Sequence, residues 1–337
     1  MGDSIMRVMT TGKSFIIRRA SEGDCEPAAQ IIQDSFGDFW ASVGQPEIAL
    51  PPRDEDDIAK QMVTFKAQHP NAIVFVAMAV DGEGNESEMI GTNGIDLRDG
   101  IGGIGVLSVA TKNHGRGVGR ALMEVVMESS EKRGGRGVSL TVNAANVRAF
   151  SLYASLGFRV VEFCVDVEGR VSDEEEAAIL DRAAAQGLTV REMVADDVPL
   201  CDRLFAKSFG FSRINGLRDS QAGRDGFQGK TALVVTRRSA SGGDEIVGYT
   251  TLISITGHYL AESEDVMQTM VAYGSRMLKS TSKPAKASLR VMTHHNPALL
   301  MWAMKAGLRV KSHWLWMYRG EPFQLDKKLA YCPDWYY

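Results

Sequence analysis

The stretch VATKNHGRGVGRALM, Val109–Met123, constrains the fold more than any other part of the chain. It predicts a strand that ends at a tight, basic, glycine-rich turn, followed by a helix over Val118–Lys132. Gly115, Gly117 and Gly119 can bring backbone N–H groups against an anion with no Cβ in the way. The helix points its positive end at the same spot, and Arg116 and Arg120 add formal charge. The turn therefore reads as a cradle for a phosphate or pyrophosphate. It is not a GxxxxGK[ST] loop. Nor does it open the chain as a first strand answered by an acidic residue about 20 positions later, as a dinucleotide fold requires.

Downstream, the Gly134-Gly135 turn leads to a strand over Gly137–Val142 and then to NVRAFSLYASLGF, Asn146–Phe158. Asn146 suits a helix cap, and Ala149, Leu152, Tyr153 and Leu156 recur at helical spacing. Gly157 ends the helix, and Phe158 begins a strand running to Val167.

The two motifs together resemble the GNAT family of acyl-CoA N-acyltransferases, whose loop has the form Arg/Gln-x-x-Gly-x-Gly/Ala and whose later segment has the form N-x-x-A-x-x-x-Y-x-x-x-G-F. The resemblance is dense over Ile104–Phe163 and extends over Ser14–Val167. It implies an α/β (α+β) domain, a mixed and mainly antiparallel sheet flanked by helices, with a splayed central strand pair. It implies acetyl-CoA as acyl donor, held by Val109, Thr111, His114, Gly115, Arg116, Gly117, Val118, Gly119, Arg120, Asn146 and Ala149. The Val109 N–H would face the oxyanion, and Tyr153 would be the general acid for the leaving thiolate. Phe36, Phe39 and Trp40 fall where the family places its acceptor pocket, though core packing suits them equally. One position departs from the pattern. His114 stands where the family has Arg or Gln; it can donate to a phosphate but is cationic only part of the time.

Acyl transfer needs a neutral amine, and deprotonating a lysine-like amine at pH 7 costs about 4.6 kcal/mol. A base is therefore useful. The strand GGIGVLSVA carries no carboxylate. Asp96, at the preceding strand's end, and the terminal carboxylate of Tyr337 are the candidates, and a strand-end Asp also reads as a turn residue. His294-His295 does not read as a metal pair, because neighbours on a strand face opposite ways. No metal is expected.

At 337 residues the chain suits two domains. Ser14–Arg18, a helix from Ser21 to Phe39, a Pro46/Pro51/Pro52 loop, a helix over Glu55–Gln68 and strands over Ala72–Val80, Met89–Leu97 and Gly103–Ala110 lead to the loop. The second half repeats the pattern. Leu188–Phe209 echoes Ser14–Phe36, and His295–Val310 echoes Ala145–Val160, with strands over Thr231–Arg237 and Glu245–Ile255 between them. The expected organisation is two tandem GNAT-like domains: residues 1–167, catalytic; an acidic helical linker over 168–187, with Glu174–Glu176 on a solvated face; and a degenerate copy over 188–337. In that copy Ala303 replaces the tyrosine, and HYLAESEDVMQTMVAY offers carboxylates instead of glycines where a phosphate loop belongs.

Net charge is 38 − 42 = −4, which gives no reason to expect nucleic acid as a partner. No run approaches membrane-span length, the N-terminal segment lacks the apolar core of a signal peptide, and Cys25, Cys164, Cys201 and Cys332 form no CxxC pair. These features fit a cytoplasmic protein. The expected acceptor is a primary amine on a small molecule. Protein or peptide amines, and a non-catalytic acyl-CoA sensor, are the alternatives, and a homodimer stays open.

Overall fold

The computed structural model describes residues 5–48, 57–224, 232–238, 242–280, 286–321, 325–326 and 328–334. Two compact units divide the chain: Met1–Leu140 with Ala145–Leu156, and Thr141–Ala144 with Gly157–Tyr337.

In the first unit, β1 (Ile5–Val8) and β2 (Ser14–Arg19) precede α1 (Cys25–Ser42) and α2 (Ile58–Gln68). β3 (Ala72–Val80), β4 (Glu86–Asp96), β5 (Ile101–Ile104) and β6 (Ser108–Val109) follow. Then come α3 (Val118–Lys132), β7 (Gly137–Asn143, in this unit through Leu140) and α4 (Val147–Ser155). β1, β2, β3, β4 and β5 pair antiparallel in that order, and β7 joins β5 in parallel. The helices are amphipathic: α3 buries Val118, Ala121, Leu122, Val125 and Val126 at helical spacing. Cys25, Ala28, Ala29 and Ile32 of α1 close over Ala59 and Val63 of α2 and Val74 of β3.

The single strand expected over Gly103–Ala110 is two short ones. β5 ends at Ile104, the Gly105 N–H reaches back to the Gly94 carbonyl at 3.0 Å, and pairing with β4 resumes only at Ser108. A Cβ on Gly94 would meet the Gly105 oxygen at 3.0 Å, so this close approach needs glycine there. Past the break β6 pairs with β4 alone, while β5 stays with β7: this is the splayed pair.

The second unit contains β8 (Arg159–Gly169), α5 (Asp173–Ala185), β9 (Leu188–Glu192), α6 (Val198–Phe209), α7 (Ile214–Gln221), β10 (Leu233–Arg238) and β11 (Asp244–Thr250). After these come β12 (Tyr259–Ala261), α8 (Glu264–Lys279), β13 (Ala287–Met292), α9 (Pro297–Ala306), β14 (Arg309–Gly320) and β15 (Ala330–Cys332). β9, β10, β11, β12 and β15 form one antiparallel sheet in that order. β8 lies antiparallel between β13 and β14. The first boundary thus falls at Leu156 instead of 167, because β8 spends its ladder bonds on the second unit. The expected linker is likewise part of that unit: Ile179 and Ala183 of α5 join its core. Glu176 is buried and paired with Arg276 (2.7 Å) and Lys279 (2.9 Å), so only part of the acidic face is solvated. The strand expected to Ile255 stops at Thr250, whose hydroxyl donates to the Leu252 carbonyl and accepts from its N–H, turning the chain.

The two units repeat a local device. Arg18 grips Asp24 through two N–H···O bonds of 2.7 and 3.1 Å, and Arg191 grips Asp197 through two of 2.6 and 2.8 Å. Each carboxylate also accepts a backbone N–H three residues before it, Ser21 and Val194. Burial works against ionisation of Asp24, but the bonds from Arg18 and Ser21 hold its carboxyl down to about 2. A depressed carboxyl contributes stability that is complete above its unfolded pKa, about 3.9, and is lost as pH falls toward the folded value. Wild type should therefore lose stability from pH 4 to pH 2 more steeply than Asp24→Asn, read by denaturant midpoint; equal slopes would count against the role of this pair.

Candidate active site

The glycine-rich turn has the geometry that its sequence requires. Gly115 and Gly117 lie at φ 72° and 90°, in the left-handed region, and Gly117 is the N-cap of α3. The first helical bond is Ala121 N–H to Gly117 O at 3.0 Å, so the N–H groups before it have no intrahelical carbonyl. The Gly115 and Arg116 carbonyls are engaged by the Thr10 hydroxyl (3.5 Å) and N–H (3.2 Å). No acidic residue occupies the first turn of α3. A helix N-terminus with open backbone N–H groups and no acidic residue is a place that could hold a diphosphate.

Val109 sits at the splay. It pairs with Gly91, and the neighbouring bond runs from Ala110 N–H to Ile90 O at 3.0 Å. Antiparallel pairing alternates, so the N–H and C=O of Val109 turn away from β4. Its carbonyl accepts from Ser35 Oγ at 3.0 Å and from His114 Nε2 at 2.8 Å. Gly119 packs strand against helices: a Cβ there would lie 3.7 Å from Val109 and 3.5 Å from Leu152. The β6 end, the first turn of α3 and the helix bearing Tyr153 thereby meet. Tyr153 is 8% exposed, and burial pushes its phenol well above the ordinary range.

Several sequence-derived residues have other partners than expected. His114 does not reach outward to an anion: its Nε2 faces Val109 O, and its Nδ1 takes a bond from Arg148. Arg148, invisible as a loop member because it lies 34 residues on, brings a guanidinium to the first loop position, where His114 stands in place of Arg or Gln. Thr111 donates to Asp38 at 2.5 Å, and Arg120 donates to Ser155 at 2.6 Å. Asn146 accepts from the Ala149 N–H at 3.1 Å, so this pair caps α4. Val118 is buried under the loop.

Asp96, the expected base, lies among other partners. It is 1% exposed and bound by Arg98 at 2.6 and 2.9 Å. Burial alone would raise its carboxyl, but the charge and bonds of Arg98 outweigh that and hold it below the usual range. Tyr337 lies outside the described residues. On the α1/α2 side of the splay is a narrow cleft, open in part to solvent. Ile32, Met62, Val63, Lys66 and Val106 line it; Phe36, Phe39 and Trp40 do not. Trp40 is a core residue packed on Phe39 at 5.0 Å, and Phe36 packs against the α1/α2 core. His294 approaches Glu162 at 4.0 Å, while the His295 ring faces the Leu329 carbonyl at 2.9 Å, so the two diverge.

Comparison with known proteins agrees with this geometry. The family model described as "Acetyltransferase (GNAT) family" matches residues 32–158. Residues 32–158 form a GNAT acetyltransferase domain. Acetyl-CoA is its acyl donor, and N-acyl transfer is its activity. No curated protein matches the chain. Among solved structures, a Pyrococcus horikoshii putative acetyltransferase is similar over 94% of this chain and 92% of its own, at 16% identity and TM-score 0.65. A GCN5-related N-acetyltransferase from Sphaerobacter thermophilus is similar over 93% and 98%, at 16% identity and TM-score 0.54. A GCN5-related glucosamine N-acetyltransferase region of a fungal multi-domain β-N-acetylglucosaminidase gives 14% identity and TM-score 0.60, over 91% of this chain and 38% of that one. At such identities the likeness is one of fold, spanning both units.

The acetyltransferase geometry belongs to the first unit. In the second, α8 is capped by Ser263, which accepts from the Val266 N–H at 3.3 Å, and Glu264 and Asp265 occupy the first turn. That helix start is already satisfied and carries negative charge. No helix among the described residues is long and apolar enough to cross a membrane.

Proposed function

We propose that the first unit acetylates a primary amine of a small molecule by direct attack on the thioester, with Tyr153 at the leaving sulfur, and that the second unit is a degenerate tandem copy. Buried, protonated Tyr153 at the α3/α4 junction is the observation that carries this reading. Acetyl-CoA supplies an activated acyl group. The chain supplies position and fixed dipoles. The Val109 N–H, on the side turned away from β4, stabilises negative charge on the carbonyl oxygen. The amine nitrogen bonds to the carbonyl carbon, the C–S bond breaks, and the amine gives up one proton. A phenol raised by burial is a weak acid beside a thiol of pKa about 8.5, so Tyr153 acts chiefly by donating a hydrogen bond to sulfur as charge builds there. The proton lost by the amine balances the thiolate. Asp96, held by Arg98, is not proposed as base.

Tyr153→Phe should lower kcat roughly tenfold or more while leaving acetyl-CoA affinity unchanged, measured by CoA release and calorimetry. Unchanged turnover would remove Tyr153 from the reaction.

A further inference from the structure

Arg148 is a cation without a counter-charge. It lies in the first turn of α4, which holds no acidic residue, and donates through Nη1 to His114 Nδ1. A guanidinium only donates, so Nδ1 accepts, and the ring proton sits on Nε2, which donates to the Val109 carbonyl at 2.8 Å. The imidazole in this arrangement is neutral. Arg148 therefore sets a full positive charge against an uncharged nitrogen, its one polar partner among the described residues. The neighbouring charges do not answer it. Glu88 pairs with Lys112 at 2.8 Å, and Asp38 takes the Thr111 hydroxyl. With Lys112, Arg116, Arg120 and Arg148 against these two carboxylates, the surroundings of the loop sum to 4 − 2 = +2. Such a place favours an anion. The packing says where. Leu152, four residues after Arg148 and so on the same face of α4, lies 3.5 Å from where a Cβ on Gly119 would stand, in the first turn of α3. The face that carries Arg148 is thus turned to the start of α3, and its guanidinium reaches the residue at which the loop begins.

We propose that Arg148 is a binding residue for the acyl donor: its guanidinium leaves His114 Nδ1 and pairs with the diphosphate at the N-terminus of α3, while His114 stays on the Val109 carbonyl. The inference rests on the first unit being the acetyltransferase site and adds to it a side chain from outside the loop. A guanidinium can set two parallel N–H groups on one phosphate, which an imidazole cannot. The contact that Arg148 gives up is a bond to a neutral acceptor, and the one it gains is charge-assisted. His114 loses nothing that holds it to the strand, because its Nε2–H bond is untouched. The diphosphate is the partner, and not the 3′-phosphate, because Arg148 meets the loop at the residue that leads into the open N–H groups.

The test is calorimetry of the full chain with acetyl-CoA and with 3′-dephospho-acetyl-CoA. Arg148→Met should raise Kd for both ligands by the same factor, roughly tenfold to a hundredfold. Arg148→Lys, which keeps the charge but not the fork, should regain part of the loss. Arg148 is exposed, so the urea midpoints of both variants should stay at the wild-type value. A role limited to steadying His114 is separated by repeating Arg148→Met in a His114→Ala background. Pairing with the ligand predicts the same loss there, and steadying predicts none. Three results overturn the proposal: equal Kd for wild type and Arg148→Met; a loss for acetyl-CoA that vanishes for the dephospho ligand, which puts the arginine on the 3′-phosphate; or a loss that vanishes in the His114→Ala background. Failure of the parent reading looks different, since wild type itself would then not bind acetyl-CoA.

Discussion

Gly117→Glu is expected to abolish acetyl-CoA binding, raising Kd roughly a hundredfold or more. Two effects add. At φ 90° an L side chain is strained, costing about 1–3 kcal/mol in the loop that must hold its shape. The new carboxylate also stands at the N-cap of α3, where a diphosphate would approach, and replaces attraction by like-charge repulsion. A Cβ at Gly117 meets nothing within 4 Å, so the loss would not come from a clash with the core. Gly117→Ala isolates the strain and should weaken binding less. Calorimetry of the full chain should show one site in wild type. Binding of Gly117→Glu with wild-type affinity would show that this loop is not the cradle, and two sites in wild type would mean that the second unit also binds.

One site is expected because, on the proposed tandem reading, the second unit's counterpart of the open strand edge is occupied. In the first unit β6 has β4 on one side, and its other side carries the Val109 N–H. In the second unit β12, its counterpart on that reading, has β11 on one side and β15 on the other, with Tyr259 opposite Cys332 and Ala261 opposite Ala330. A chain segment laid along β12 takes up the backbone donors that a pantetheine arm would need. Asp334, two residues past β15, is fastened to Arg213 at 2.5 Å. On the proposed tandem reading, a second unit without loop glycines, motif tyrosine or open strand edge serves as support; Gly307 at φ 109° ends α9 as Gly157 at φ 86° ends the α4 turn.

The loop and the Asn146–Phe158 motif were legible because each depends on local chemistry: a left-handed glycine, a cap, a helical period. What was not legible depends on which partner answers a residue. β8 reads as a strand whatever sheet receives it, since alternation names a face and not a neighbour, so the Leu156 boundary could not be seen. His114 reads as a phosphate donor until Arg148 and Val109 claim both its nitrogens. Asp96 reads as a candidate base until Arg98, two residues on, folds back onto it. Lys66 sits in the sequence FKAQ like any solvated helix lysine, yet in the fold it is 3% exposed. The break over 105–107 carried one available signal, the glycines of IGGIG, which a strand does not need in its interior.

Asp166→Ala is expected to destabilise the chain by about 3–5 kcal/mol, the largest stability effect of any single change proposed. Arg290 is fully buried on β13 and bonds Asp166 of β8 at 2.7 and 3.1 Å, so the pair joins the strand that follows α4 to the second unit's sheet. Ser312 donates to the same carboxylate at 3.1 Å, and Arg290 also donates to Thr141 at 3.0 Å and lies 4.7 Å over the Trp314 ring. Removing the carboxylate leaves a guanidinium in low dielectric without its counter-charge, and the penalty is the unpaired charge, not the net worth of the pair. A double-mutant cycle makes the distinction. Arg290→Met should also be strongly destabilising, because Asp166 would then be buried alone. Asp166→Ala with Arg290→Met, which removes both charges, should cost much less than the two single losses summed. Urea midpoints for the four proteins measure this. Additive losses in the double variant would mean that the two residues are packed independently and that β8 is held by its ladder bonds alone.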